Sequence, residues 1–184
     1  MEIGQLLISL AQKAIESGFN PKIKFDREDL IKNAPFLDEL GAVFVTLTLD
    51  NKLRGCIGSL LAHRPLLDDI LHNAKSAAFK DPRFSALSKE EFKKIKIEIS
   101  LLDSPKTLEY KDFEDLKNKL EKNKPGVILE LDGKRATYLP SVWEQLPIFE
   151  SFFPSLCEKA GLNPGSLSAY PKIQTYQAQK IKQA

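Results

Sequence analysis

The sequence predicts an α+β fold in which antiparallel sheets are flanked by helices. Two observations carry this. Strand patterns come mostly as hairpins rather than in regular strand–helix–strand order, and residues 95–101 alternate strictly between apolar and polar side chains. Such alternation suits an antiparallel sheet with one wet face. With 184 residues, 42% of them hydrophobic, the chain (1–184) is expected to form one domain, or one domain split into two lobes, with a real core.

The elements follow in order. Ile3, Leu6, Leu7, Leu10, Ala14 and Ile15 recur at helical spacing and predict a helix over 2–17, closed by a left-handed Gly18. Asp26 is an N-cap for a short helix through Asp29, Leu30 and Ile31, interrupted by Pro35. Residues 42–49 are rich in β-branched side chains and read as a strand. Val43, Val45, Leu47 and Leu49 share one face, and Ala42, Phe44, Thr46 and Thr48 the other. Asp50-Asn51 turns the chain into a return strand over 53–57.

Pro65 is placed at the first position of the next helix, where its missing N–H costs nothing. Leu66, Ile70, Asn73, Ala74, Ala77 and Ala78 mark its inward face, the alanines implying close approach of another element. The helix stops at Asp81-Pro82-Arg83-Phe84, because proline disfavours helix at the residue before it. Ser88 to Glu91 form a capping box for a short helix carrying Phe92. In the alternating strand, Ile95, Ile97, Ile99 and Leu101 face the core, while Lys96, Glu98 and Ser100 face water or a cleft.

Asp112 caps a helix through Leu116 and Leu120. Strands over 127–131 and 135–139 flank the turn Asp132-Gly133. Short helices are expected over 140–146 and 149–160, the second closed by Gly161, followed by a loop at Pro164-Gly165 and a last strand over 173–178.

Several function classes lose ground at once. The 27 basic and 25 acidic residues nearly cancel, which argues against a nucleic-acid binder, and Lys93, Lys94 and Lys96 read as a solvated helix end. Cys56 and Cys157 stand far apart and form no disulfide framework. The N-terminus lacks the basic start and apolar stretch of an export signal, and no segment approaches the roughly 20 apolar residues of a membrane span, so a cytoplasmic protein is expected. His63 and His72 match no zinc spacing with Cys56, so no metal site is expected and the cofactor stays unassigned. Cys157 among Phe152, Phe153 and Leu156 reads as core, and Trp143 and Tyr138 as packing. No phosphate-binding glycine loop or serine nucleophile elbow is present.

The segment Arg54-Gly55-Cys56-Ile57-Gly58-Ser59 is the most distinctive. Glycines near a strand end mark a bulge or a close approach to the backbone. Arg54 and Cys56 are two apart, so in a regular strand they share a face, and the guanidinium would lower the thiol pKa. On this reading Cys56 is the catalytic nucleophile or redox group. Arg54, Gly55, Gly58, Ser59, Asp81 and Arg83 then bind a small anionic ligand. The competing reading makes Cys56 a small buried hydrophobe, the glycines room for packing, and Asp81-Arg83 a helix terminator with a local ion pair.

Val43 to Leu47 followed by Leu53-Arg54-Gly55-Cys56-Ile57-Gly58 resembles the hallmark of the AMMECR domain family, also called AmmeMemoRadiSam system protein A. The likeness continues in order through Asn73-Ala74, Ala77-Ala78-Phe79 and Asp81-Pro82-Arg83-Phe84. Further blocks are Ile97-Glu98-Ile99-Ser100-Leu101-Leu102, Ala136-Thr137-Tyr138-Leu139-Pro140-Ser141-Val142-Trp143 and Leu156-Cys157-Glu158-Lys159-Ala160-Gly161-Leu162. The resemblance implies a two-lobed α+β fold with a cleft and no established activity. It also implies, through gene association alone, Memo-like and radical SAM proteins as partners, either in a shared pathway or docked on a non-catalytic module. The chain departs from the family at Pro125, where many members carry a histidine before the glycine that is Gly126 here, so any mechanism using that histidine is in doubt.

Overall fold

The computed structural model describes residues 2–164 and 169–183. In chain order the elements are α1 (Ile3–Phe19), α2 (Arg27–Asn33), β1 (Leu40–Leu49), β2 (Lys52–Gly58), β3 (Arg64–Pro65), α3 (Leu66–Phe79), α4 (Lys89–Phe92) and β4 (Lys96–Leu102). They continue with β5 (Lys106–Thr107), α5 (Phe113–Asn123), β6 (Gly126–Leu131), β7 (Lys134–Tyr138), α6 (Phe149–Lys159), β8 (Lys172–Tyr176) and β9 (Ala178–Lys182). Short 3₁₀ turns lie at Pro35–Asp38 and Pro140–Glu144. The chain divides into two compact units, Met1–Leu102 with Gln179–Ala184, and Asp103–Ala178.

The first unit is a sheet in the order β2-β1-β4-β9, with β3 pairing the start of β1. Both β1–β2 and β1–β4 are antiparallel, as the alternation predicts. Asp50 and Asn51 both take positive φ, which matches the right-handed twist of the strands that the turn joins. Val43, Val45, Leu47, Ile97 and Ile99 present one face of the sheet to a core shared with Leu7, Ala14 and Ile15 of α1 and Ile70, Ala74 and Ala77 of α3. Packed this way, each fully buried aliphatic side chain contributes about 1.5–3 kcal/mol.

Two helix ends differ from expectation. Gly18 lies inside α1 without a positive φ, and a Cβ there would sit 2.4 Å from Cε2 of Phe79. The glycine therefore serves the approach of a phenylalanine ring, and Asn20 caps the helix. Pro65 is the N-cap of α3 rather than its first residue, because its extended backbone still pairs with Leu40 in the sheet.

The outer face of the sheet is only partly wet. Thr46, Thr48 and Glu98 are half-buried and Lys96 is exposed, but Ser100, expected to face water or a cleft, is buried together with Ala42 and Leu102 at the same end of that face.

The second unit is an antiparallel sheet, β5-β8-β6-β7, packed on α5 and α6. Asp132 and Gly133 make the expected left-handed turn, and Gly161 closes α6 with φ +72°. Trp143 stacks on Phe152 at 3.8 Å and donates its indole N–H to the Pro125 carbonyl. Cys157 is fully buried in this core. The expected 173–178 strand ends at Tyr176. After Gln177 the chain starts β9, which belongs to the first sheet. Gln177 is held there by Asp103, whose carboxylate accepts from the Gln177 N–H at 2.6 Å and whose own N–H reaches the Gln177 carbonyl at 3.0 Å. Within the Pro164-Gly165 loop, Gly165 lies outside the described residues.

Candidate functional site

Strand β2 carries the segment that the sequence singles out, and packing explains both of its glycines. A Cβ on Gly55 would stand 2.2 Å from the Ala77 carbonyl oxygen, so α3 lies directly against the strand backbone. A Cβ on Gly58 would stand 2.2 Å from Cγ of Phe44, whose ring lies across that position.

Arg54 does not share a face with Cys56 in the regular way. Leu47 pairs with Gly55 but Thr48 pairs with Leu53, so Arg54 is the extra residue of a β-bulge. A bulge breaks the two-residue alternation and re-aims the side chain. Arg54 is buried and forms a fork with Glu91 of α4, Nε to Oε1 at 2.8 Å and Nη2 to Oε2 at 3.1 Å. Arg54 and the Ser88 N–H hold the Glu91 carboxyl down at about 2. The Arg54 charge is thus spent on α4 and not offered to the thiol.

Asp81 and Arg83 meet Cys56 through its backbone. The Cys56 N–H donates to Asp81 Oδ2 at 2.9 Å, and Arg83 Nη2 donates to the Cys56 carbonyl at 3.3 Å. Arg83 also holds Asp81 through Nε at 3.0 Å, Nη2 at 2.8 Å and its own N–H at 3.1 Å. That pairing, with the Cys56 N–H, keeps the buried Asp81 carboxyl well below the usual range. The Phe84 ring lies beneath both guanidiniums, 5.8 Å from Arg54 and 5.5 Å from Arg83.

The Cys56 thiol is half-buried, 3.3 Å from Thr46 Oγ1. Burial raises its pKa, and Asp81 and Glu98 add to the rise. The bond to Thr46 and the charge of Arg83 oppose it without reversing it. The group is therefore a neutral thiol near pH 7, not the thiolate that an adjacent arginine would create.

Ser59 belongs to a separate buried cluster. Beyond Gly58 the chain gives β1 one more backbone bond, from the Ser59 N–H to the Val43 carbonyl at 3.0 Å, before it leaves and returns as β3. Side chains of α3 complete the ladder. Asp69 accepts from the Val43 N–H at 2.8 Å, and Asn73 donates to the Val43 carbonyl at 3.1 Å. Asp69, fully buried, also accepts from Ser59 Oγ at 2.6 Å and Arg64 Nε at 2.7 Å. Ser59 Oγ receives Asn73 and Arg64 as well, so its lone pairs are committed.

The structure therefore brings Cys56, Asp81 and Arg83 together, places Gly55 and Gly58 in packing contacts, and sends Arg54 and Ser59 elsewhere. It adds a feature that the sequence reading passed over. A pocket of about 360 Å³ opens on the outer face of the first sheet, lined by Thr46 and Thr48 of β1, Lys96, Ile97 and Glu98 of β4, Asn51 of the turn, and Lys182 with Gln183 at the end of β9. Lys182 Nζ stands 3.7 Å from Glu98 Oε2. Thr46 joins this pocket to the Cys56 sulfur. The alternation of β1 and β4 placed Thr46, Thr48, Lys96 and Glu98 on their outer faces, but nothing local announced that β9 would supply Lys182. Burial lowers the His72 pKa, His63 is exposed, and no metal-binding group of histidine, cysteine and acidic residues occurs among the described residues.

Two antiparallel sheets in two units, a bulged hairpin clamped by an Asp-Pro-Arg-Phe turn, and a pocket on the outer sheet face define a particular class of α+β protein. The chain belongs to the AMMECR1 family, whose model matches residues 8–181. A Saccharolobus islandicus protein is 38% identical over 174 residues, 89% of this chain and 73% of its own length. A Methanosarcina mazei protein is 33% identical over 183 residues, covering 98% of this chain and 91% of its own. The crystal structure of the uncharacterized protein PH0010 from Pyrococcus horikoshii is similar, with a TM-score of 0.83 and 31% identity, over 96% of this chain and 89% of that one.

Proposed function

We propose that this protein binds a small anionic ligand in the pocket on the outer face of its first sheet. The observation that carries the reading is that two lysines, Lys96 and Lys182, and two threonines, Thr46 and Thr48, line one concavity. An ammonium is a flexible point charge suited to phosphate or carboxylate, and threonine hydroxyls supply directional donors. Glu98 gives the pocket an acceptor and favours a ligand that also carries a hydroxyl or amine. Cys56 stands behind Thr46 as a neutral thiol. A thiol-dependent enzyme reaction here would need a base to take the Cys56 proton, and a bound anion would oppose its loss.

The test is titration of labelled protein with inorganic phosphate and with small hydroxycarboxylates, followed through backbone amide shifts. Saturable shifts at Thr46, Thr48 and Lys96 are expected. Lys96→Ala/Lys182→Ala should weaken them about tenfold or more, equivalent to about 1.4 kcal/mol, while Cys56→Ser leaves binding within about twofold. Shifts that never saturate, or that survive the lysine double variant, refute the reading. Memo-like and radical SAM proteins are the partners to pair with it. Pull-downs with and without the lysines would separate ligand binding from docking.

A further inference from the structure

We infer that the Asp81–Arg83 fork is a guard on the free edge of the first sheet, standing in for an absent neighbouring strand and keeping β2 from pairing with β2 of a second copy of this chain. Among the described residues β2 ends the strand order on its side. An end strand offers unpaired N–H and C=O groups to other chains, and proteins protect such edges with bulges, charges or covers.

Here the protection has the geometry of a strand. In a hydrogen-bonded antiparallel pair each residue gives one N–H and one C=O to the residue opposite. Cys56 does both, but to side chains: its N–H goes to Asp81 Oδ2 at 2.9 Å and its carbonyl receives Arg83 Nη2 at 3.3 Å. A carboxylate oxygen replaces the partner's carbonyl and a guanidinium N–H replaces its amide. The two are locked to each other, so neither swings away alone. The Arg54 bulge, two residues earlier, adds a second obstacle by breaking the edge.

The occupant being excluded is a second copy because the vacancy is self-complementary. Cys56 presents one donor and one acceptor outward, which is what a two-fold related Cys56 would need. Leu53 on the same strand is an exposed large apolar side chain that such a pairing would cover. The inference is independent of ligand binding, since neither Asp81 nor Arg83 lines the lysine pocket.

The experiment compares the wild type, Arg83→Ala, Asp81→Ala/Arg83→Ala and the triple variant that adds Leu53→Lys, by sedimentation equilibrium and amide hydrogen exchange. Circular dichroism first establishes that each is folded. The double variant should self-associate at least about tenfold more tightly than the wild type, with Arg83→Ala between them. Leu53→Lys should reverse the gain, because it replaces the exposed apolar side chain that the pairing would cover with a charge on the edge strand. At concentrations where all are monomeric, the Cys56 amide should exchange about tenfold faster once Asp81 is gone. Wild-type sedimentation of the folded double variant overturns the inference, as does association that ignores Leu53→Lys. Should the double variant not fold, Arg83→Ala decides alone. It keeps the Asp81 bond to the Cys56 N–H while freeing the carbonyl, and unchanged association in it is equally fatal.

Discussion

Gly55 leaves no room for a side chain. Because the obstructing atom is the Ala77 carbonyl, in the backbone of α3, it cannot rotate away. Gly55→Ala should cost about 1–3 kcal/mol in urea unfolding at neutral pH, the range for overpacking a rigid site. At Cys56, the rate of iodoacetamide alkylation should rise with a midpoint above the free-cysteine value of about 8.5, because burial raises the thiol pKa. A midpoint below 8 (roughly the thiolate-favouring range) would restore the nucleophile reading. Glu91 has the opposite behaviour. Its carboxyl falls from 4.5 to about 2 on folding, so its pairing stabilises the protein fully above pH 4.5 and is lost as pH drops toward 2. Glu91→Gln should lower stability by about 2 kcal/mol at pH 7, since it leaves Arg54 without its counter-charge, and should flatten the loss of stability on acidification across that window. Thermal melting from pH 7 to 2 reads both effects. The sequence showed Arg54 and Cys56 two residues apart, but a bulge is invisible in spacing, and so the expected thiol–guanidinium pair dissolves into two separate interactions.

At the scale of the element, α3 does more than cover the sheet. Asp69 and Asn73 are four apart and therefore lie on one face of the helix, where Asp69 takes the Val43 N–H and Asn73 adds a second donor to the Val43 carbonyl beside the Ser59 N–H. Asp69→Ala would strand the Val43 N–H, the Ser59 hydroxyl and the Arg64 Nε–H around a fully buried position. The expected cost is about 3–5 kcal/mol, measured by chemical denaturation, with faster amide exchange at Val43. Asn73 was legible as an inward-facing residue because it fell on the apolar period of the helix. Asp69 was not singled out, because an acidic residue in the first turn of a helix is ordinary in itself. Hairpins were easier to read. Asp50-Asn51 and Asp132-Gly133 carry local conformational preferences that hold whatever packs around them.

For the whole molecule, two hydrophobic cores stand in two units, one around Leu7, Ile70 and Val45 and one around Phe149, Phe152 and Leu156. Phe152→Ala empties a site filled by stacking on Trp143 and by Tyr138 set edge-on at 5.4 Å. It should destabilise the protein by about 3–5 kcal/mol and raise amide exchange in β6 and β8 before β1 and β4. The fold class, the N-caps at Asp26, Ser88 and Asp112, the alternating strands and the family likeness were all determined by the sequence alone. Each rests on contacts between near neighbours or on a pattern that survives any arrangement of the elements. What only the tertiary structure decided lies at the joins: the split of the last strand at Gln177, the return of β9 with Lys182 to the first sheet, the burial of Ser100, and the meeting of Asp81 and Arg83 with the backbone of Cys56. These contacts join residues 25 or more positions apart in several cases, and their formation depends on which backbone groups the completed sheet leaves unpaired. No periodicity encodes that remainder, because an unpaired N–H or C=O exists only once every other strand has found its place.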